Sequence, residues 1–335
     1  MGSMGNSASL WKKRLGGLFC AAALLAMTAG AASADDKPFT FVALGDMPYG
    51  KPAKVYAPFK TLIGQVNALN PAFTIHIGDT KSGSTPCSDE MLLEQLAFMN
   101  SFDAPLVYTP GDNEWTDCHR RKAGRFDPIE RLSFLRKHYF SHGPRSLGKV
   151  PMKIERQSDL MKEYAKYPEN SRFVKEGVHF VAAHVVGSNN NFEVRVRRAI
   201  KEFFARDAAN VAWLKTGFDR AIAVKARALV LAIHADMFKP GFFRAKKEAF
   251  SGASGFKRFG DTLIKKAAAF KKPILLIYGD SHKYKTTRPF QKKAPNVVAL
   301  QVFGAKQMHA VKVTVDTNKP AVFDIQPVKN KALTN

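Results

Sequence analysis

Acidic residues are scarce in this chain. Its 335 residues include 28 Asp and Glu against 52 Lys and Arg, a formal charge of +24. Such an excess implies anionic company, whether phosphate, nucleic acid or an acidic surface, and is silent about fold. Cysteine is scarcer still. Three residues, Cys20, Cys87 and Cys118, are too few for a scaffold held by a disulfide framework. No internal repeat is present, and no long low-complexity tract follows the N-terminus. With 45% hydrophobic and 24% charged residues the composition is globular, which excludes wholesale disorder, a collagen-like chain and a coiled coil. No helix-turn-helix signature or aromatic-basic RNA motif accompanies the charge, so charge alone argues for nucleic acid.

The N-terminus reads as an address. Lys12, Lys13 and Arg14 precede an apolar stretch from Leu15 to Met27, and Ala-Ala-Ser-Ala ends at Ala34. A positive region, a short apolar core and a small-residue cleavage site predict a signal peptide over 1–34 and a secreted or periplasmic product. An uncleaved anchor is the alternative, but the core is short for a bilayer span of roughly 20 residues. Cleavage would remove three basic residues and Cys20, leaving no stable membrane insertion. An oxidising compartment then favours a single bridge between Cys87 and Cys118 over two free thiols.

Past the signal, apolar strand-like runs alternate with helical spacing. Strands are expected at Phe39–Leu44, Phe73–Ile77, Pro105–Tyr108, Val178–Ala183, Ala228–Ile233 and Ile274–Tyr278. Helices are expected at Phe59–Leu69, Met91–Met99, Asn210–Val224 and Phe256–Phe270. This alternation predicts a layered α/β fold. Three late runs, Val297–Val302, Val311–Val315 and Ala321–Ile325, have no helices between them and are expected to be antiparallel. The polar, Lys-rich stretch 141–175 reads as an insertion in one domain spanning 35–329, with a short tail at 330–335.

Several of these strands end in Gly-Asp or His. Gly45-Asp46, Gly78-Asp79, Gly111-Asp112, His184, His234 and Gly279-Asp280-Ser281-His282 all follow apolar runs. Ligand sites in α/β sheets lie beyond the carboxyl ends of strands, so parallel strands would gather these groups on one rim. One Gly-Asp is an ordinary turn. Four in this order predict carboxylates that raise one another's pKa until a cation neutralises them. Carboxylates with some imidazole suit one or two divalent or trivalent ions, Mn, Fe, Mg or Zn, with the harder metals favoured.

These blocks resemble the calcineurin-like metallophosphoesterase superfamily, which includes the purple acid phosphatases. Gly45-Asp46-Met47-Pro48 stands where that family has Asp-x-His. Gly78-Asp79 matches its second block, and Gly111-Asp112-Asn113-Glu114 its Gly-Asn-His block. Ala232-Ile233-His234 matches its lone histidine and Gly279-Asp280-Ser281-His282 its final block. Asn210–Leu214 resembles the Trp-Leu helix ahead of the lone histidine. The resemblance covers roughly 39–325 and implies a four-layer αββα sandwich with mixed sheets. It implies one metal on Asp46, Asp79 and His282, and a second on Asp79, Asp112, His234 and Asp280. Pro48, Asp112, Asn113 and Asp280 depart from the pattern. Tyr49 stands next to the gap at Pro48, either filling it or simply packed.

The same resemblance implies phosphoester hydrolysis of a small anionic substrate, monoester or diester. Asn113 is then expected to donate to phosphate, and Glu114, His119 and His184 become candidates for the missing general acid. His184 also reads as a structural hydrogen-bonding residue. Arg120, Lys283 and Arg288, with His119, are candidates for phosphate contact, and Asn189 lies on the same rim. Two other readings stand beside this one. One is a pseudo-enzyme that keeps the fold and binds an anionic ligand. The other is a nuclease or nucleic-acid binder, which only the charge supports.

Overall fold

The computed structural model describes residues 36–333. The expected signal peptide and the last two residues lie outside them.

Hydrophobic alternation builds the fold. In β1 (Phe39–Leu44), Phe41 and Ala43 face one apolar cluster while Val42 and Leu44 face another. Such period-two burial on both faces makes a central strand. β2 (Thr74–His76) and β3 (Leu106–Tyr108) follow it in parallel. The next strands are β4 (Glu155–Arg156), β5 (Ser171–Lys175), β6 (Val178–Ala182) and β7 (Ala228–Ala232). A two-stranded hairpin, β8 (Phe243–Arg244) and β9 (Ala249–Phe250), stands apart. β10 (Ile274–Tyr278), β11 (Lys285–Thr287), β12 (Val297–Gln301), β13 (Ala310–Val315) and β14 (Phe323–Val328) complete the series.

Two mixed sheets result. The first has the order β14-β13-β1-β2-β3 and the second β11-β12-β10-β7-β6-β5-β4. Their facing sides share a core of Phe41, Phe73, Ile77, Phe180, Val230, Ile277 and Val313. The outer face of the first sheet is covered by α1 (Pro52–Ala68), α2 (Asp89–Met99) and α3 (Pro128–Tyr139), through Phe59, Leu62, Leu92 and Leu135. After the short turns α4 (Gln157–Leu160) and α5 (Gly187–Asn190), α6 (Arg197–Ala223) and α7 (Lys257–Phe270) cover the second sheet with Trp213, Phe218, Phe259 and Leu263. The architecture is therefore αββα, as the sequence motifs imply.

Some elements differ from expectation. α6 begins at Arg197, well before the expected Asn210, because its first turns bury little besides Phe203 and carry charge elsewhere. β12 runs parallel to β10 in the second sheet, whereas β13 and β14 pair antiparallel in the first. Absence of an intervening helix thus misreads β12, whose partner precedes it. Within 141–175, β5 pairs antiparallel with β6 and β4 antiparallel with β5, extending the edge of the second sheet. Among the described residues, no helix is long and apolar enough to cross a membrane.

Candidate metal centre

The carboxyl ends of β1, β2 and β3 in one sheet, and of β7 and β10 in the other, open on the same rim. Short backbone hydrogen bonds lock the strand exits together: Asp46 N to Gly78 O at 3.0 Å, and Gly279 N to His234 O at 2.9 Å. Left-handed backbone falls on the functional residues themselves, with φ of +55° at Asp46, +56° at Asp79, +70° at Asp280 and +58° at His282. Strain of this kind concentrates at functional sites. The adjoining glycine supplies room: a Cβ at Gly279 would stand 2.3 Å from Asp46 Oδ2.

Two overlapping triads form. Asp46, Asp79 and His234 offer ligand atoms all within 4.8 Å of one another, as do Asp112, His234 and Asp280. His234 lies in both. Its Nδ1 donates to the Ile77 carbonyl at 2.8 Å, which turns Nε2 toward Asp112 Oδ1 at 2.9 Å and Asp79 Oδ1 at 3.5 Å. Fixing one ring nitrogen on a carbonyl is how a histidine presents the other to a metal. The sequence reading instead groups Asp46 and Asp79 with His282. The structure leaves His282 outside both triads, with Nε2 3.5 Å from Asp46 Oδ1 and the ring edge-on to Tyr49.

The electrostatics are those of a site short of positive charge. Burial pushes Asp79 well above the usual carboxylate range. His234 pulls it down, but Asp112, Glu114 and Asp46 push it further up. Burial and Asp112 also raise Asp280, against the pull of His234 and Lys239. Asp112 goes the other way: burial opposes ionisation, but hydrogen bonds from His234 and Ser188 hold it at about 2. His234 is raised well above its usual value, because Asp79 and Asp112 outweigh its burial. Four buried or nearly buried carboxylates and a tautomer-fixed imidazole fit a hard cation. Asp46, Asp79, Asp112, His234 and Asp280 are the residues that would hold it.

Other expected residues find other work. Glu114 is fully buried and accepts from Thr80 N (2.7 Å), Gly111 N (3.1 Å) and the Tyr108 hydroxyl (3.2 Å). It ties the Asp79 and Asp112 loops together and has no access to a leaving group. His184 is likewise without exposure; its Nδ1 meets Glu169 at 2.9 Å and its ring lies beside Trp115. Both residues, expected as general-acid candidates, are engaged in hydrogen bonds that hold the fold, the structural alternative already open for His184. Asn113 gives its amide to Asp79 Oδ2 (2.6 Å) and to the Tyr49 hydroxyl (2.7 Å) rather than to open space. Tyr49 in turn donates to Asp79 Oδ2 at 2.6 Å. Burial and the Asp79 charge push its phenol well above 10.

Among the rim candidates, His119 is exposed and donates to Thr116 O at 2.7 Å. Arg120 pairs with Asp117 at 2.6 Å. Asn189 spends its amide on Ala253 O and Gly255 N, so it pins a loop. Arg288 bonds Pro295 O at 3.0 Å, while Lys283 is exposed. The asparagine triplet has a conformational explanation. Ser188 to Asn191 all have φ between +48° and +60°, a region asparagine tolerates better than most residues.

Three residues escape the sequence reading. Lys239 Nζ lies 2.9 and 2.8 Å from the two oxygens of Asp280. Ser188 Oγ stands 2.7 Å from Asp112 Oδ2 and 2.8 Å from Asp117 Oδ1. Lys81 is buried, with Nζ 2.6 Å from Asn113 O and 3.1 Å from Thr85 O. None has a local motif that marks it. Finally, Cys87 and Cys118 are bonded, joining the loop after Asp79 to the loop after Asp112.

No protein-family model matches the sequence, and no curated protein does either. Solved structures do match. A dimetal phosphatase from Danio rerio aligns over 88% of this chain and 100% of its own, at 9% identity and a TM-score of 0.52. A purple acid phosphatase from yellow lupin seeds aligns over 88% of this chain and 54% of its own, at 12% identity and a TM-score of 0.49. A 5'-nucleotidase from Candida albicans aligns over 88% and 51%, at 12% identity and a TM-score of 0.47. The alignment with the Danio rerio structure, over nearly the whole of both chains, shows a shared fold, the metallophosphoesterase fold that the sequence motifs imply.

Proposed function

We propose that the chain is a metal-dependent phosphoester hydrolase, exported from the cytoplasm, that acts on small anionic substrates. One observation carries the reading: Asp46, Asp79, Asp112, Asp280 and His234 converge from five strand ends, with His234 Nε2 presented by its bond to Ile77. A cation bound there supplies an activated water and polarises a phosphoryl oxygen. The chain's own residues prepare that chemistry. Glu114 holds two ligand loops at fixed separation. Asn113 and Tyr49 orient Asp79. Tyr49 keeps its proton at neutral pH, because its phenol is pushed up by burial and by Asp79. The Cys87–Cys118 bridge supports an oxidising compartment.

Asn113 stands where the resemblance expects an imidazole, and its amide is already engaged. Asn113, which cannot supply a proton as an imidazole would, therefore leaves leaving-group protonation at that position unsupported. Aryl phosphates, whose leaving groups depart unprotonated, should outpace alkyl phosphates by more than a protonating enzyme would allow. The test is hydrolysis of 4-nitrophenyl phosphate and bis(4-nitrophenyl) phosphate with Mn²⁺, Fe or Zn²⁺, by the wild type and by Asp79→Asn. Metal-dependent turnover lost in the variant supports the reading.

A second reading has its own observation. The Lys239 ammonium is bound to both oxygens of Asp280, so one ligand of the second triad already has a cationic partner. A non-catalytic protein that binds an anion would show metal or phosphate binding without turnover across all of these metals.

A further inference from the structure

The loop pair that carries Asp79 and Asp112 also borders a second feature, open to solvent. Next to Asn113 lies a cavity of about 430 Å³, lined by Ser82, Gly83, Ser84, Arg120, Arg121 and Lys122. Asn113 is shared: it lines the cavity and bonds Asp79 at 2.6 Å. The cavity therefore opens directly beside the candidate metal centre. Three cations and two hydroxyls line it, and no carboxylate is among its lining residues. Asp117 reaches the wall beside Gly83, where a Cβ would stand 3.2 Å from its Oδ2, and it pairs with the Arg120 guanidinium at 2.6 Å, leaving Arg121 and Lys122 as the cations without that partner.

The walls are built rather than incidental. Buried Lys81 holds the 82–85 turn by its carbonyls, with Nζ bonds to Thr85 O at 3.1 Å and Ser82 O at 3.3 Å. A side chain at position 83 would close the space, since a Cβ there would stand 2.5 Å from Asn113 Oδ1 and 3.0 Å from Arg120 Nη1. Opposite this turn, Arg121 and Lys122 lie on a single short 3₁₀ turn, Arg121–Ala123. That turn is fixed to the first loop by Cys87 N to Ala123 O at 3.0 Å, and the preceding turn, Thr116–His119, by the Cys87–Cys118 bridge. Cys87, Cys118, Ala123 and Phe126 form a small apolar cluster under it. Cations on a fixed base lose less conformational freedom on binding than cations on a loose loop. Arginine with lysine is a pairing suited to phosphate oxygens.

We propose that this cavity is a second anion subsite, and that the substrate carries two phosphate groups: one placed at the metal centre, the other held by Arg121 and Lys122. The inference rests on the phosphoester reading of the neighbouring triads and narrows it. Substrates would be small bisphosphorylated molecules. Anchoring a remote phosphate also raises the rate, because binding energy away from the reacting bond positions that bond.

The test uses probes whose C–P bonds resist hydrolysis. Binding of propane-1,3-bisphosphonate and of propylphosphonate to the purified, metal-loaded protein is measured by calorimetry. The wild type should bind the bisphosphonate at least tenfold more tightly than the monophosphonate. In Arg121→Gln/Lys122→Gln that ratio should fall below about threefold, and in the charge-preserving Arg121→Lys/Lys122→Arg it should recover. Equal binding of both probes by the wild type overturns the proposal, as does a ratio that survives the double glutamine variant. Asp79→Asn separates this failure from that of the phosphoester reading. If Asp79→Asn leaves propylphosphonate binding intact, the reading of the metal centre fails, while a ratio abolished by the double variant still establishes the subsite.

Discussion

Opening the Cys87–Cys118 bridge is a perturbation whose size follows from the fold. The two cysteines are 31 residues apart. Closing a loop of that length lowers the entropy of the unfolded chain enough to stabilise the native state by about 3–4 kcal/mol. A folded body of about 300 residues has an unfolding entropy that converts this into a fall in Tm of about 5–7 °C. The effect should not be uniform over the molecule. The bridge joins the two loops that carry Asp79 and Asp112, and its interior is a patch of only Cys87, Cys118 and Ala123 with Phe126. Trp115 and Glu114 still anchor the inner ends of the loops, so cutting the bridge loosens chiefly their outer parts. Both Cys87→Ala/Cys118→Ala and mild reduction should therefore lower Tm and weaken metal binding together. Differential scanning calorimetry, with and without added Mn²⁺, reads both quantities. A Tm that moves by less than 1 °C, or metal binding that is unaffected while Tm falls, would refute the coupling of the staple to the site.

Three further outcomes are expected. Replacing Lys239 with Met leaves the Asp280 carboxylate without its ammonium; the metal-free protein should lose about 1–3 kcal/mol, discounted for the partial exposure of the lysine. The same variant should gain a larger Tm rise on Mn²⁺ addition than the wild type, and an equal rise would argue against the pair. His179 is buried, and burial beside Arg172 pulls its pKa from 6.5 to about 4. Between those values the unfolded chain binds a proton that the folded chain refuses, so His179 makes stability fall as pH drops through 6.5 toward 4. From pH 7 to pH 5 the wild type should lose about 2 kcal/mol relative to His179→Gln in urea unfolding, and parallel pH profiles for the two proteins would contradict this. The leaving-group preference is checked by the slope of log kcat/KM against leaving-group pKa, expected to be steep across aryl and alkyl phosphates; a flat slope would point to a proton donor that the structure does not show.

The fold was legible because its strands carry a period-two apolar code and end in Gly-Asp or His. Asp46, Asp79, Asp112, His234 and Asp280 could be placed on one rim from that regularity alone, since parallel strands leave their carboxyl ends together. Burial was not legible. Nothing around Glu114 or His184 distinguishes a carboxylate clamped by three donors, or an imidazole sealed on Glu169, from a catalytic group facing solvent. Partners distant in sequence were also hidden. Lys239 reaches Asp280 across 41 residues and Ser188 reaches Asp112 across 76, and neither pair leaves a local pattern. The direction of β12 was misread for the same reason: its parallel partner is β10, in the second sheet, while the strand that follows it belongs to the first. The basic excess proved partly structural. Arg206 is entirely buried, its guanidinium spent on Glu202, Asn190 and the His184 carbonyl.

The central claim is that the strand-end carboxylates and His234 hold metal. Elemental analysis of the purified protein, paired with Mn²⁺ titration of the chelator-treated protein, tests it most directly. The wild type should contain and rebind one or two equivalents of metal per chain, with binding weakened at least a hundredfold in Asp79→Ala and at least tenfold in His234→Ala. Metal-free wild type with no binding isotherm, or variants that bind as the wild type does, would contradict it.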